Sequence, residues 1–402
     1  MTDHPARLNR SETDGQPSVR AVVVGAGPAG SRVAFRLADA GWPVVLLDHR
    51  YPWEKPCGGG LNQRALALLR QTLPALPHVP AGRSLHLASA GGRRLQMDLD
   101  TTFAVLPRKR LQRLMVERAM EAGATLVTSM FSTARRAADS NSWTVETRDG
   151  SCINTENLIG ADGALSAVRQ TVAGPDAWRD VRPALGLVHV FPGPPPQSEG
   201  LHLVFTDDPP GYIWEFPGDE FSTVGISLPF DPRGAVKARE ILHDHLLRRG
   251  WVGRPPLRGA MAPSASTAHW QRGVLQGDGW ALLGDAAGLV DPLTGEGIYY
   301  ALRSADLLAE ALLDGRPERY TGMVRAELGP ELALAARYVK SFFRGNFPDQ
   351  MLALADKHEG IRTVLGNLVS GRQSYLGLKK VLFRSCVPAA LRYLLLKVAG
   401  RW

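Results

Sequence analysis

Short apolar runs broken by glycine turns open the readable part of the chain. Residues 20–24 (RAVVV) form a short buried strand that ends at Gly25. Residues 29–40 follow a helical period, with Val33, Phe35, Leu37 and Ala38 among the inward positions. Gly41-Trp42-Pro43 turns the chain into a second strand, 44–47, which ends at Asp48. Residues 107–122 read as a helix opened by a proline and closed at Gly123, and 124–128 as a strand. Residues 142–149 alternate as a half-exposed strand, and Asp149-Gly150 makes a hairpin turn toward 152–159. From about residue 184 the texture changes. LGLVHVF, LHLVF, YIWEF and FSTVGISL are aromatic or β-branched runs separated by Pro/Gly/Asp turns, which predicts an antiparallel sheet. Residues 280–283 return to a buried strand and 298–313 to a helix. From 316 onward the pattern is helical, punctuated by Gly345, Pro348, Gly366 and Pro388.

Three glycine motifs sit on this framework. GAGPAG, with Gly25, Gly27, Ala29 and Gly30 as its cofactor-facing positions, joins the first strand to the first helix, and Asp48 follows 18 positions beyond Gly30. That is the dinucleotide fingerprint in its structural context. Gly25 permits the tight turn, Gly27 lets the backbone approach a pyrophosphate, and Gly30 lets helix and strand pack closely. The helix start offers N–H groups to phosphates, and Asp48 can accept from the adenosine ribose. GADG follows at 160–163, and GDAAGLVDPLTGEG at 284–297. In the last motif a strand delivers Asp285 toward ribityl or ribose hydroxyls. Gly284, Pro292, Gly295 and Gly297 shape the path to the helix that begins near Ile298. The N–H groups at that helix start would face the pyrimidine edge of a flavin, where reduction places negative charge. Together the motifs predict an α/β protein whose discontinuous Rossmann-like domain (20–80, 105–183 and 277–318) holds FAD. An antiparallel β-sheet domain for substrate (81–104 and 184–276) and a C-terminal helical region (319–402) complete it, behind a disordered polar tail over 1–19.

Charge changes the picture at one end. The formal net charge is +8. Of the 47 basic residues eight lie after Glu359, where no acidic residue occurs, and the remaining 39 balance the 39 acidic ones. Leucines and aromatics interleave with those eight cations. Such a segment suits an anionic membrane surface, or equally a helical cap whose cations point to water. No nucleic-acid motif accompanies the charge, so no nucleic-acid partner is expected. Cys57, Cys152 and Cys386 are odd in number and far apart, which suggests reduced thiols and a cytoplasmic protein, with membrane association through the basic end. No secretory signal and no membrane span are read. The ten histidines show no metal-ligand spacing; His243 and His245 face different ways, and His189 and His202 read as structural. Nucleophile-elbow and Walker motifs are absent. No second GxGxxG is present, which leaves NADPH as a transient reductant.

The succession GAGPAG, EKPCGGGL, LPRKRL, GADG, YIWEFP and GDAAGLVDPLTGEGIYYAL resembles the geranylgeranyl reductase family over residues 20–315. That family belongs to the flavoprotein group that includes aromatic hydroxylases of the p-hydroxybenzoate type. Three consecutive glycines, Gly58 to Gly60, are costly in backbone entropy and suit a place where flat cofactor or substrate meets the main chain. The resemblance sets Cys57 beside the flavin ring, as proton donor to an alkene or as cavity wall, with Gly59 and Gly60 on the cofactor. It further implies that Arg108 neutralises the pyrophosphate, that the Val127 backbone meets the adenine, and that Asp162 and Gly163 close a second flank of the FAD site. On a strand Tyr212, Trp214 and Phe216 share one face. That pattern fits a substrate tunnel or an ordinary sheet interior, and the likeness favours the tunnel, with Glu215 exposed on the opposite face.

The activity so implied is FAD-dependent saturation of C=C bonds in an isoprenoid: geranylgeranyl diphosphate, a chlorophyll-type side chain, a menaquinone tail or a glycerolipid. NADPH or reduced ferredoxin or flavodoxin is the electron donor. The runner-up is an FAD monooxygenase, a hydroxylase more than a halogenase, because KPCGGG replaces the lysine-containing GES segment of halogenases. Intact cofactor motifs argue against a mere flavin or lipid carrier.

Overall fold

Two sheets of different character organise the chain in this computed structural model, which describes residues 19–76, 83–101, 103–137, 142–174, 178–196, 200–218, 220–253 and 255–386. Apart from Val19, which opens the first strand, the polar tail read over 1–19 lies outside these residues. So do Pro388 and the last cations, Arg392, Lys397 and Arg401.

The first sheet runs in the order Gln276–Gly277, Trp280–Leu282, Cys152–Gly160, Val19–Val24, Val44–Leu47 and Thr125–Val127. The hairpin of Phe131–Arg136 and Trp143–Thr147 joins it beside Cys152–Gly160. From Trp280–Leu282 to Thr125–Val127 all pairs are parallel. Strands of such a sheet are covered on both faces, which is why RAVVV and VVLL read as unbroken apolar runs. Helix Pro28–Asp39 packs against both Arg108–Glu121 and Ile298–Leu313. Parallel pairing brings the C-terminal strand ends to one edge, and the three glycine motifs, Asp48 and Val127 all follow or end those strands.

The second sheet has seven strands in the order Arg258–Ala265, Val181–Pro192, Phe221–Pro229, Pro210–Phe216, Leu201–Asp207, Ser84–Ala88 and Arg94–Asp98. Its pairs are antiparallel except one: Leu201–Asp207 runs parallel to Ser84–Ala88, because that strand arrives from a distant part of the chain. Helix Pro232–Arg248 starts at Asp231, whose side chain accepts from Gly234 N, and buries Ala238, Leu242 and Leu246 against Leu187, Ile213 and Ile226 of this sheet. A two-stranded ribbon, Gly60–Leu61 with Ala104–Val105, links the cysteine-glycine run to the approach of Arg108.

Among the described residues five α-helices follow: Tyr320–Glu327, Gly329–Phe342, Phe347–Lys357, Glu359–Ser370 and Leu378–Cys386. Leu352 and Ala355 pack on Leu85, Leu87, Leu95 and Met97 of the second sheet. Gly366, read as a break, lies inside Glu359–Ser370. A Cβ there would sit 3.4 Å from Leu99 and 3.5 Å from the Met97 sulfur, so the residue serves close packing. Among the described residues no helix is long and apolar enough to cross a membrane, and no cluster of side chains could hold a metal ion.

Candidate functional site

The first glycine turn is shaped by what a side chain would meet. Gly25 has φ +100°, and a Cβ there would lie 2.4 Å from the Ala161 carbonyl oxygen. A Cβ on Gly30 would lie 1.8 Å from Gly25 O. Around Gly27, by contrast, nothing lies within 4 Å of that position. Gly27 caps the helix without a side-chain bond to its amides, and Ala29 is buried in the first turn behind Pro28. Asp48 braces the turn: one carboxylate oxygen accepts from Ala26 N and the other from Arg50 N, both at 2.8 Å. The Val127 carbonyl accepts from Asp48 N at 3.1 Å, so both residues end adjacent strands beside the turn.

Arg108 opens its helix close by. The amides of Arg108 and Lys109 donate to the two oxygens of Glu54, at 2.8 and 2.9 Å. The Arg108 side chain is buried, and its Nε has no protein partner. Asp162 caps helix Ala167–Ala173 through Oδ2, 2.7 Å from Ala167 N and 3.1 Å from Val168 N, while Oδ1 is buried and unpartnered. Burial raises its pKa. Gly163 has φ +87° and open space around it.

In the last motif Gly284 N donates to Ser304 Oγ, and Asp285 receives Lys55 Nζ at 2.7 Å. The loop then closes on itself: Gly295 N donates to Asp291 O, and Asp291 N to Glu296 O, both at 2.9 Å, with Pro292 between. Gly297 caps helix Ile298–Leu313. The helix start is less open than the sequence suggests, because Glu296 Oε1 accepts from Tyr299 N at 2.9 Å. Its Oε2 accepts from Asn62 Nδ2 at 3.1 Å. Burial raises the pKa of both Asp291 and Glu296.

The cysteine-glycine run lies against the aromatic face of the second sheet. A Cβ on Gly58 would sit 2.8 Å from the Phe216 ring and 2.9 Å from Trp214 Nε1; on Gly60, 2.7 Å from the Phe103 ring. Gly59 has φ +70°, and a Cβ there would be 2.6 Å from Leu106 O. The room at Gly58, Gly59 and Gly60 is thus filled by the chain itself. Thr223 Oγ1 donates to Gly58 O at 2.9 Å, and Gly59 N donates to Cys57 Sγ at 3.4 Å. Tyr212, Trp214 and Phe216 share one face, with ring centroids 6.3 and 6.4 Å apart. The Tyr212 hydroxyl donates to Thr294 O in the last glycine motif. Burial raises the Tyr212 pKa, and nearby Asp291, Cys57 and Glu296 add to it. Cys57, the aromatic row and the last motif therefore meet in one place.

Glu215 is a correction. It is buried, not exposed, because helix Pro232–Arg248 and the segment after it cover that face of the strand. His245 Nε2 lies 2.7 Å from Glu215 Oε1, Arg249 Nε donates to the same oxygen at 2.8 Å, and Trp251 Nε1 donates to Oε2 at 3.2 Å. Burial alone would raise this carboxyl, but the hydrogen bonds from His245 and Arg249 outweigh it and bring its pKa down to about 2. His202 is the cross-strand neighbour of both Glu215 and His86, and it stacks on His86 with centroids 4.2 Å apart. Burial brings the His202 pKa down to about 4.

Residues missed at the sequence level are Glu54, Lys55, Asn62, Asp291, Glu296 and Tyr375. Glu54 and Lys55 stand directly before PCGGG, and Asp291 and Glu296 lie inside the last glycine motif, whereas Asn62 and Tyr375 carry no local signal.

Three features of this edge fit FAD: the open space at Gly27 before a helix start, the unpartnered Nε of buried Arg108, and the unpartnered Oδ1 of Asp162. Comparison with known proteins agrees. A family model described as FAD binding domain matches residues 18–316. Menaquinone reductase of Mycobacterium tuberculosis is 33% identical over 356 residues, covering 81% of this chain and 82% of that protein. Geranylgeranyl diphosphate reductase of Rhodobacter capsulatus is 31% identical over 315 residues, covering 74% and 76%. The solved structure of a geranylgeranyl bacteriochlorophyll reductase-like protein from Thermoplasma acidophilum covers 90% of this chain and 98% of its own, with a TM-score of 0.73 and 19% identity, a likeness of fold. The chain belongs to the FAD binding domain family, as a geranylgeranyl reductase-like FAD-dependent oxidoreductase.

Proposed function

We propose that this protein saturates C=C bonds of an isoprenoid chain carried by a diphosphate, a pigment, a quinone or a glycerolipid. Bound FAD supplies the hydride for such a reduction, renewed by NADPH or by reduced ferredoxin or flavodoxin. The turn from Gly25 to Gly30 receives the pyrophosphate, with Ala29 in the first helical turn and Arg108 as counter-charge. Asp48 and Val127 serve the adenosine end, and Asp162 and Gly163 a second flank. Asp285 turns from Lys55 toward ribityl hydroxyls, beside the loop of Gly284, Pro292, Gly295 and Gly297. Tyr212, Trp214 and Phe216 line the path of the prenyl chain.

An unactivated alkene is a poor hydride acceptor. The site must hold it in reactive geometry and protonate the second carbon. Cys57, Tyr212 or a bound water is the candidate donor. The observation that carries this reading is the packing of the Cys57 run on the aromatic row, next to the last glycine motif. The names of the two relatives, reductases of menaquinone and of geranylgeranyl diphosphate, support it. Membrane contact through the basic C-terminal segment would bring such a lipid within reach.

Mass spectrometry of lipid and quinone extracts, incubated anaerobically with the protein and a reductant, tests it. The expected result is a gain of two hydrogens per bond reduced. Turnover that halts without oxygen overturns it in favour of a monooxygenase. Cys57→Ala is expected to keep flavin reduction while alkene reduction drops steeply; unchanged turnover removes Cys57 as the donor.

A further inference from the structure

The segment from Gly371 to Cys386 connects the protein surface with the last glycine motif. Tyr375 is 6% exposed, and its hydroxyl donates to Asp291 Oδ2 at 2.8 Å. Asp291 Oδ1 in turn accepts from the amides of Leu293 and Thr294, at 2.8 and 3.3 Å. The Thr294 carbonyl receives the Tyr212 hydroxyl. A second tie runs in parallel. Gly371, at φ +76°, sits against Asn62, which donates to Glu296.

One residue beyond Tyr375 the chain turns outward. Leu376 is 49% and Phe383 39% exposed. Lys379, Lys380 and Arg384 are exposed on the same short stretch. The rest of the chain continues without an acidic residue and adds Arg392, Lys397 and Arg401. Exposed apolar side chains among cations are the chemistry that anionic lipid headgroups and their acyl boundary attract.

We propose that Leu376, Lys379, Lys380, Phe383 and Arg384 dock on an anionic lipid surface, and that docking is coupled to the loop 291–297 through the Tyr375–Asp291 hydrogen bond. The inference rests on the isoprenoid-reductase reading, since it gives the protein a reason to sense a lipid layer. Tyr375 acts here as a positioning residue. It holds Asp291, which holds the loop backbone that anchors Tyr212. The arrangement ties the state of the loop to whether the protein sits where its substrate is.

The test uses the full chain loaded with FAD and vesicles of phosphatidylcholine, with and without phosphatidylglycerol. Flotation reads docking; hydrogen exchange over 291–297 and the visible flavin spectrum read the loop. The protein is expected to float with the anionic vesicles only. The triple change Lys379→Glu, Lys380→Glu and Arg384→Glu should weaken that binding roughly 100-fold. Docking should slow exchange across 291–297 and shift the flavin band. Tyr375→Phe should still float and lose both responses. Absence of flotation with anionic vesicles overturns the docking surface. Flotation with unchanged exchange across 291–297, or a Tyr375→Phe variant that responds as the wild type does, overturns the coupling. If that variant does not fold, the wild-type exchange measurement alone decides. Failure of the reductase reading is separate: docking and loop response would persist while lipid extracts gain no hydrogen.

Discussion

Gly25 to Gly30 and Gly58 to Gly60 are both glycine-rich turns beside the same site, and their surroundings are opposite. At Gly27 a side chain would meet empty space, whereas at Gly58 and Gly60 it would meet the rings of Phe216, Trp214 and Phe103. The first turn stands at the C-terminal edge of a parallel sheet, where strand ends and a helix start leave room for a phosphate-bearing ligand. The second lies in front of a sheet whose aromatic row fills whatever a side chain leaves. Glycine in one case leaves open space at a helix start and in the other admits the rings of the wall behind it.

The largest effect is expected at Gly30, where the nearest obstacle is the backbone of Gly25. Gly30→Ala places a carbon 1.8 Å from Gly25 O and should cost about 4 kcal/mol or prevent folding. Near-native stability in urea unfolding would show that the turn relaxes easily.

Glu215→Ala removes the support of the aromatic wall from behind. It leaves buried His245 and Trp251 and half-buried Arg249 without their carboxylate, a loss of about 3 kcal/mol. The sign with pH follows from the lowered folded pKa. The stabilisation is fully present above the ordinary value of 4.5 and fades as pH falls toward about 2. Acid unfolding of Glu215→Gln should lack that component; an identical acid profile would remove Glu215 from the account.

Gly58→Ala should cost about 2 kcal/mol and impair turnover while FAD uptake persists. Combined with Phe216→Leu, which vacates space, it should lose less than the two separate costs. Strict additivity would argue that the glycine and the ring do not compete for the same volume. The smallest effect on stability belongs to Gly27→Ala, within about 0.5 kcal/mol for the flavin-free protein. FAD titration of the same variant should give affinity at least about tenfold weaker, and unchanged affinity would place the pyrophosphate elsewhere.

The parallel strands of the first sheet were legible in the sequence because each glycine motif follows its strand within a residue or two, and local spacing carries the information; Phe131–Arg136 and Gln276–Gly277 were not read. The aromatic row was legible for the same reason, as alternation assigns a face. What covers a face is not local. Glu215 read as exposed because nothing in YIWEFP announces the helix that buries it, which begins at Pro232. The Tyr375–Asp291 bond spans 84 positions, and Lys55–Asp285 spans 230. No period or composition links such pairs. At Gly58 the need for room was visible in the sequence, but not that the rings of Phe216 and Trp214 stand where a side chain would go.

Interleaving of the two sheets has a consequence for how the chain matures. The central strand Val19–Val24 waits for Cys152–Gly160 on one flank, and that neighbour waits for Trp280–Leu282. In the meantime Ser84–Ala88 must find Leu201–Asp207, across the whole helix Arg108–Glu121 and the strands after it. Pairings between such remote stretches form slowly and leave sticky edges exposed while they are pending. During synthesis the growing polypeptide therefore carries one unfinished edge until Leu201–Asp207 has emerged and another until Trp280–Leu282 has, and any fragment ending before the latter inherits at least one of them.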